Sequence, residues 1–461
     1  MKVDEYVTTL LEQISNKKAR YDIEREIRQH IECQVDECME AGMSEEDAVE
    51  FAVRDMGDPV VAGVELNRIH RPKMAWGMLS VIILVSLLAL VMKILFFRDG
   101  FSEPVRYLDG SENIKVEIFR TLIGITFMIV INYLDYSIIG KYSRMIMIGI
   151  TAVLLLLGFN PDNIDYYGGR IYYLNIFGHF VNPRFLLLAI IPVFGGILYT
   201  YRYGKDKDIL KCFIWMVIPC IVTYVYINSV LFAVTFFLIE TLILFIVLCR
   251  GWFKVSVKKW IIIISGIVVT ILTSVLGVSY LYGDFRRNMI LAWFSPEKYK
   301  YDSGYRIFRV RTMMQNSLFI GDSKQENILE FFEMNSREFV LLFTSVRYGR
   351  LIMYILVGIT LLVIGLLFAG VLRQKNKLGR IMGISCCIVF LTRIILYFLT
   401  NIGLLFSNVF DCPFWGTGSI TQVLLDYFLL GILLSIYRYK NVLPKCTVVP
   451  ETAKFVAEEQ V

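Results

Sequence analysis

The residues best placed to do chemistry lie where the longest polar stretch of the chain meets a long apolar run. Glu338 closes that stretch, and Phe339 begins the apolar run. A carboxylate at such a boundary loses part of its hydration, which raises its pKa and suits a general base. The structural alternative is an acid that stabilises the first turn of a helix, with Asn335 or Ser336 as the cap.

Arginines are concentrated in the same polar stretch or at its ends. Guanidinium groups donate paired hydrogen bonds to phosphate oxygens, so the cluster favours a phosphate-bearing ligand. Two plainer alternatives are a solvated loop surface, which explains part of the cluster, and one side of an interfacial helix for Arg309 and Arg311. The arginines are Arg286, Arg287, Arg306, Arg309, Arg311 and Arg337.

The composition indicates an integral membrane protein. Of 461 residues, 56% are hydrophobic and 14% aromatic. Apolar runs near the ~20 residues that cross a bilayer recur from Met74 onward, without the alternation of a β-barrel. We therefore predict an all-α, polytopic fold of about ten spans. The runs are Met74–Phe97, Glu117–Leu134, Met145–Phe159, Phe185–Tyr201, Ile209–Ile227, Ser229–Cys249, Trp260–Leu281, Phe339–Val371, Gly379–Phe406 and Thr417–Ile436.

The charges divide the chain and predict its topology. Residues 1–72 carry 17 acidic and 9 basic side chains, whereas the remainder has a net charge of +14. Basic hinges follow every second span, so the positive-inside rule puts these hinges and both termini in the cytoplasm. We predict a small cytosolic helical domain at 1–72, a membrane domain at 73–445 with a large outer loop at 282–338, and a cytosolic tail at 446–461.

Two ionisable residues, Glu240 and Arg393, lie well inside apolar runs. Each costs on the order of 3 kcal/mol at the centre of a spanning helix, so both should face the bundle interior. They either pair with each other or line a polar cavity, and structural pairing is the favoured interpretation.

Other kinds of site find little support. No aromatic-interleaved basic patch appears, so no nucleic-acid partner is expected. The partners expected around the apolar spans are membrane lipids. The 9 cysteines and 3 histidines are scattered without a CxxC pair, which argues against metal ligands and against a disulfide framework. No cofactor is predicted, with a divalent cation kept as an alternative.

Several segments, in this order, resemble the SEDS family (shape, elongation, division and sporulation), the RodA/FtsW class of peptidoglycan glycosyltransferases. WFSPEKYKYDSGYR is similar to an aromatic-x-x-Pro segment followed by Gly-Tyr-Gln, and LEFFEMNSREF to Leu-Pro-x-x-His-Thr-Asp-Phe. TNIGLLF resembles Asn-Ile-Gly-Met, CPFWGTGSITQVLL resembles Leu-Pro-Phe-x-Ser-Tyr-Gly-Gly-Ser-Ser, and GGRIYYLNIFGHFVNPRF resembles a Gly-x-Arg-Trp-Leu region. The segments are Trp293–Arg306, Leu329–Phe339, Thr400–Phe406, Cys412–Leu425 and Gly168–Phe185.

This resemblance implies ten spans, an undecaprenyl-pyrophosphate-linked muropeptide as substrate and a class B penicillin-binding protein as partner. Glu338 stands where the family has its key aspartate, which makes it the catalytic candidate, and Val346 and Arg347 replace two further acids. The substrate-binding candidates are Arg170, Arg287, Arg306, Arg309, Asn401, Gly416, Thr417, Gly418 and Ser419.

A second resemblance concerns the N-terminal region. The segment AGMSEEDAVEFAVRDMGDP (Ala41–Pro59) is similar to permease-prefix (HAAS-type) helical domains that precede bacterial membrane proteins. Such a domain would regulate or dock, or simply cap the cytosolic face without a partner.

The leading hypothesis is a cell-wall assembly protein of the bacterial inner membrane, acting in cell shape, division or sporulation and polymerising lipid II by glycosyl transfer. One alternative is a non-catalytic regulator or scaffold controlled by residues 1–72. The other is a flippase for a lipid-linked sugar. Internal sequence repeats would favour a flippase, and the sequence shows no convincing repeat.

Overall fold

The computed structural model describes most of the chain, including a compact helical region at its N-terminus. Helices α1 to α4 surround their own apolar core, in which Tyr6, Leu10 and Ile23 are buried. Their bounds are α1 Val3–Glu12, α2 Lys17–Glu40, α3 Glu45–Asp55 and α4 Pro59–His70. The described residues are 2–99, 110–159, 164–167, 170–176, 179–181, 183–227, 229–281, 284–325, 331–332, 338–405, 410–416 and 420–439.

Capping residues set the ends of these short helices. The Ser44 hydroxyl accepts a hydrogen bond from the Asp47 N–H and begins α3. Asp58 caps α4 in the same way, with Pro59 in the first turn. The permease-prefix resemblance and the cytosolic placement of this region remain predictions.

The rest of the described chain is built mainly from long apolar helices, which confirms the all-α, polytopic fold class. Ten of the helices among the described residues run for 17 to 25 residues between Trp76 and Arg438 and follow the ten predicted apolar runs. Six of these meet strict criteria of length and hydropathy for crossing a membrane. They are α5 Trp76–Arg98, α6 Gly110–Tyr133, α8 Ser143–Phe159, α9 Pro183–Thr200, α10 Asp206–Ile227, α11 Val230–Cys249, α12 Val257–Leu281, α16 Arg350–Leu372, α17 Lys377–Asn401 and α18 Ile420–Arg438.

Shorter elements connect the spans. A three-stranded antiparallel sheet, with strand order β1-β2-β3, lies between α8 and α9 and is an addition to the helices that the apolar pattern did not predict. The long loop at 282–338, named the outer loop after its predicted side of the membrane, carries α13, α14 and a 3-10 turn at Pro296–Tyr299 among its described residues. The short elements are α7 Tyr136–Lys141, β1 Ile164–Tyr167, β2 Arg170–Ile176, β3 His179–Val181, α13 Asp284–Phe294, α14 Tyr305–Asn316 and α15 Val340–Arg347.

The eighth apolar run, predicted as one span at Phe339–Val371, is two helices. The chain breaks at Gly349, whose φ of +101° is rarely adopted by other residues. A Cβ at this glycine would stand 2.7 Å from the backbone of Ile320 and of Phe319. The outer loop therefore crosses the chain at this point, and the Arg350 N–H donates to the Leu318 carbonyl at 3.0 Å.

The first and tenth spans meet at one end of the bundle. The Lys73 N–H, just before α5, donates to the Arg438 carbonyl at the end of α18 at 3.1 Å. Helix α6 also packs closely on α18, where a Cβ at Gly124 would overlap the Tyr427 ring. The predicted tail at 446–461 lies outside the described residues.

Candidate active site at the start of α15

The backbone that follows Glu338 is held by two buried side chains of α17. The Asn401 amide donates to the Glu338 carbonyl at 3.0 Å and accepts from the Leu342 N–H at 2.9 Å. The Tyr397 hydroxyl accepts from the Val340 N–H at 2.9 Å. These bonds satisfy N–H groups that the first turn of α15 leaves without helical partners, and they fix the position from which the Glu338 side chain departs.

The Glu338 carboxylate meets an arginine from the outer loop. The Arg306 Nη2 on α14 donates to Oε2 at 2.6 Å, and the guanidinium lies 5.5 Å from the centre of the Phe339 ring. About a third of each side chain is exposed, 36% for Arg306 and 33% for Glu338. The sequence therefore predicted both members of the pair, and the structure brings them together across 32 positions.

The surroundings of Glu338 act on its proton affinity in opposite directions. Burial raises the pKa of the carboxyl above its ordinary value of 4.5, and Arg306 opposes this. Asp411 also raises the pKa and Arg184 lowers it, so both lie within electrostatic reach. Sequence reasoning missed Asp411 and Arg184, because each is more than 70 positions away in sequence. The sequence offered one signal for Arg184 and Asp411, which is that each is a charged residue close to the end of an apolar run.

The other predicted arginines are distributed more widely. Arg287 pairs with Asp284 at 2.6 Å at the start of α13. Arg309 is half-buried on α14, and Arg311 on the same helix donates to the Gly403 carbonyl at 2.8 Å. Arg170 lies on β2, where its side chain is outside the described residues.

The predicted segment around Gly416 is folded into the bundle. The Gly416 N–H donates to the Cys412 carbonyl at 3.2 Å, and the buried Trp415 indole donates to Thr360 at 2.7 Å. An irregular backbone at this depth agrees with a segment enclosed by protein. Thr417, Gly418 and Ser419 lie outside the described residues.

Arg393 has a different partner from the one that the sequence offered. Its guanidinium pairs with Asp426 of α18, not with Glu240, so this pairing prediction was wrong. The same guanidinium donates to the Asp411 carbonyl at 3.3 Å. Asp426 faces it across the bundle, and that position could not be read from the spacing of apolar residues. Arg393 thus ties the membrane interior to the segment beside Glu338.

A second buried cluster of charges lies between α5 and α6. Lys93 donates to Glu117 at 3.1 Å, and Arg120 donates to the other oxygen of Glu117 at 2.7 Å. A cavity of about 30 Å³ is lined by Lys93, Gln422, Asp426 and Gly416, among others. Sequence reasoning did not single out this cluster.

An apolar groove opens between α10, α11 and α12. Its volume is about 440 Å³, and its walls include Tyr224, Phe237 and Val275. The exposed Arg286, at the start of the outer loop, lines one end of it. An apolar groove with the Arg286 guanidinium at its end suits an amphiphile that carries an anionic group.

Metal ligands are not gathered in the described part of the chain. No three residues among the described histidines, cysteines, aspartates and glutamates lie close enough to hold an ion. The eight described cysteines are free thiols.

Comparison with solved structures shows the fold. A chain from a peptidoglycan synthase complex that coordinates polymerization and crosslinking matches with a TM-score of 0.62 at 13% identity, over 79% of this chain and 98% of that one. The rod shape determining protein RodA of Thermus thermophilus matches with a TM-score of 0.52 at 11% identity, over 80% and 97%. A mutant of that RodA gives 0.54 at 10% identity, over 80% and 98%.

Sequence comparison shows the family. Comparison with the curated proteins finds no match. Residues 75–442, however, match the profile of the FtsW/RodA/SpoVE family, described as cell cycle proteins. This match covers most of the chain and includes Glu338 and all ten long helices. The chain therefore belongs to the FtsW/RodA/SpoVE family of integral membrane proteins and acts in cell-wall assembly.

Proposed function

We propose that the protein polymerises lipid II, the undecaprenyl-pyrophosphate-linked muropeptide, with Glu338 as the general base. The observation that supports this most is a partly desolvated carboxylate at the start of α15, paired with Arg306 of the outer loop. Glu338 also occupies the position of the family's key aspartate.

In the proposed reaction, Glu338 takes the proton from a sugar hydroxyl of the acceptor. The hydroxyl oxygen attacks the anomeric carbon of the donor sugar, and the bond from that carbon to the diphosphate breaks. The electron pair leaves with the diphosphate, whose negative charge Arg306 and Arg184 stabilise. The raised pKa of Glu338 brings its basicity closer to what proton abstraction near neutral pH requires.

The ion pair with Arg306 gives the site a way to become active when substrate binds. While Arg306 bonds Glu338, it lowers the pKa of the carboxyl and weakens the base. A substrate diphosphate would compete for the same guanidinium, because phosphate oxygens accept its paired donors well. Once Arg306 turns to the diphosphate, the pKa of Glu338 rises and the base is released.

The lipid part of the substrate has a suitable place in the apolar groove of α10, α11 and α12. The groove is large enough for part of a polyprenyl chain, and Arg286 at its end suits the diphosphate. This assignment puts the sugar headgroup on the side of the outer loop, where α13 and α14 lie.

The proposed setting is the bacterial plasma membrane, with both termini in the cytoplasm. The contact between Lys73 and Arg438 puts the start of α5 and the end of α18 on one side of the bundle. Basic hinges favour the cytoplasm for that side. A class B penicillin-binding protein is the proposed partner, in line with the peptidoglycan synthase complex to which the fold is similar.

The test is polymerisation of purified lipid II by the full-length protein, with and without the partner. Glu338→Gln keeps the shape of the side chain and should lower the rate about 10²- to 10⁴-fold. The control Glu297→Gln changes an exposed acid of the same loop and should leave the rate unchanged. Adding a chelator to the same assay tests whether a divalent cation assists the diphosphate. A wild type that makes no glycan with any partner refutes the enzymatic function.

A non-catalytic regulator is the second candidate, and one observation favours it. Arg347, at a position where the family has an acid, bonds Asp99 and Asp322 and is used to hold the outer surface together. In that case Glu338→Gln would leave growth unchanged in cells, whereas deletion of residues 1–72 would abolish function.

A further inference from the structure

One buried carboxyl group has no role in the proposed reaction. Glu240 lies near the middle of α11, fully buried, in a helix with no other acidic or basic side chain. Both of its oxygens are buried without a hydrogen-bond partner among the described residues. Glu117, which is buried to nearly the same extent, is instead held by Lys93 and Arg120.

The helices around α11 supply no cation to Glu240 within the described part of the chain. The Cys220 thiol on α10 lies within electrostatic reach of it. Arg393 on α17 is engaged by Asp426 and the Asp411 carbonyl. Between 261 and 279, α12 carries no titratable side chain. Other titratable side chains on the described helices packed against α11 include Cys212 and Tyr224 on α10, Tyr199 on α9, and Cys386, Cys387 and Tyr397 on α17, and none of these is a cation.

An ionised carboxylate in this position would lose its hydration and gain nothing in return. The neutral acid is far less costly to bury, because it carries no net charge and keeps only a modest demand for hydrogen bonds. We propose that Glu240 is a proton-binding site in the middle of the membrane, occupied by a proton at neutral pH. This holds whether or not the protein polymerises glycan.

The site lies behind one wall of the apolar groove. Cys220 and Phe237, which is one turn from Glu240 on α11, both line that groove. With its proton bound, Glu240 leaves the wall uncharged and the groove suited to an apolar chain. Loss of the proton would place a charge behind the wall and draw water toward it.

Infrared spectroscopy of the full-length protein in phosphatidylcholine vesicles tests the proposal directly. A protonated carboxyl has a carbonyl stretch that is separate from the carboxylate bands. This band should be present from about pH 6 to about pH 8 and absent in Glu240→Gln. The matched control Glu117→Gln removes an equally buried but paired carboxylate and should leave the band intact, as should the exposed Asp284→Asn. A wild type without the band, or a band that survives in Glu240→Gln, overturns the proposal.

Thermal unfolding provides an independent measure. Glutamine is nearly isosteric with a protonated glutamic acid, so Glu240→Gln should keep the Tm of the wild type at neutral pH. Glu117→Gln should lower the Tm by several degrees, because it leaves Lys93 and Arg120 without their partner. A loss of Tm in Glu240→Gln as large as that in Glu117→Gln would show that the group is charged and paired, contrary to the proposal.

Discussion

The Asn401 side chain donates a hydrogen bond to the main-chain carbonyl of Glu338 at 3.0 Å. Asn401 is fully buried, and its amide also bonds the Tyr397 carbonyl and the Leu342 N–H. The contacts give it a positioning role beneath the candidate base. The contact of Asn401 with substrate remains a prediction, because all of its described hydrogen bonds are to main-chain groups of the protein.

The first prediction concerns this positioning. Asn401→Ala leaves two backbone groups beside Glu338 without a partner, at a cost of about 1–3 kcal/mol. Displacement of the carboxylate by about 1 Å should lower kcat on the order of 10²-fold. Lipid II polymerisation and thermal unfolding measure the two effects. Tyr397→Phe removes the acceptor of one backbone group, the Val340 N–H, and should have a smaller effect on both.

The second prediction is a shift in pH dependence. Glu338 must be ionised to act as a base, so kcat/KM should rise with pH through the pKa of its carboxyl, which burial raises above 4.5. Arg306 opposes that rise, so Arg306→Leu should raise the pKa further and move the acid limb to higher pH. Rates measured across the pH range in the wild type and the variant test the direction. An acid limb that moves downward or stays in place contradicts the assignment of Glu338.

The third prediction concerns the cluster that Asp99 forms with Tyr348 and Arg347. Burial alone would raise the pKa of Asp99, but hydrogen bonds from Tyr348 at 2.7 Å and Arg347 at 3.2 Å lower it below its ordinary 3.8. The cluster therefore stabilises the fold above that value, and this contribution is lost as the pH falls through the depressed pKa. Asp99→Asn should cost about 1 kcal/mol at neutral pH.

The stability of the Asp99→Asn variant should also be measured at acidic pH. In unfolding experiments, the Tm difference between wild type and Asp99→Asn should be largest near neutral pH and shrink below about pH 4. A difference that grows on acidification would show that Asp99 stabilises the fold by another route.

The fourth prediction tests the break in the eighth apolar run. Gly349→Ala would strain a backbone at φ +101° and force the added Cβ against Phe319 and Ile320, so it should destabilise by on the order of 1–3 kcal/mol or more. Gly358→Ala in α16 is the control, because a Cβ there meets nothing within 4 Å. Its Tm should be unchanged or slightly higher.

Much of the fold could be predicted from local pattern. Apolar runs of bilayer length gave the ten long helices, since the helix is the structure that satisfies its own backbone hydrogen bonds in lipid. The break at Gly349 was missed because it depends on a long-range contact with the outer loop. Gly321, 28 positions before Gly349, donates its N–H to the Tyr348 carbonyl beside the break. The sheet of β1, β2 and β3 was missed because its strands, of three to seven residues, are much shorter than the apolar runs that mark the spans.

The sequence by itself determined that the chain spans a membrane, that its charges are divided between an acidic N-terminal region and basic hinges, and that Glu338 stands at a boundary between polar and apolar chain. These are properties of neighbouring residues and their hydration. Only the tertiary structure decided that Arg306 meets Glu338, that Arg393 pairs with Asp426 and that Glu240 has no described partner. Such pairings depend on which helix faces which, because a buried charge is stabilised by whatever lies across the interface and not by its neighbours in sequence.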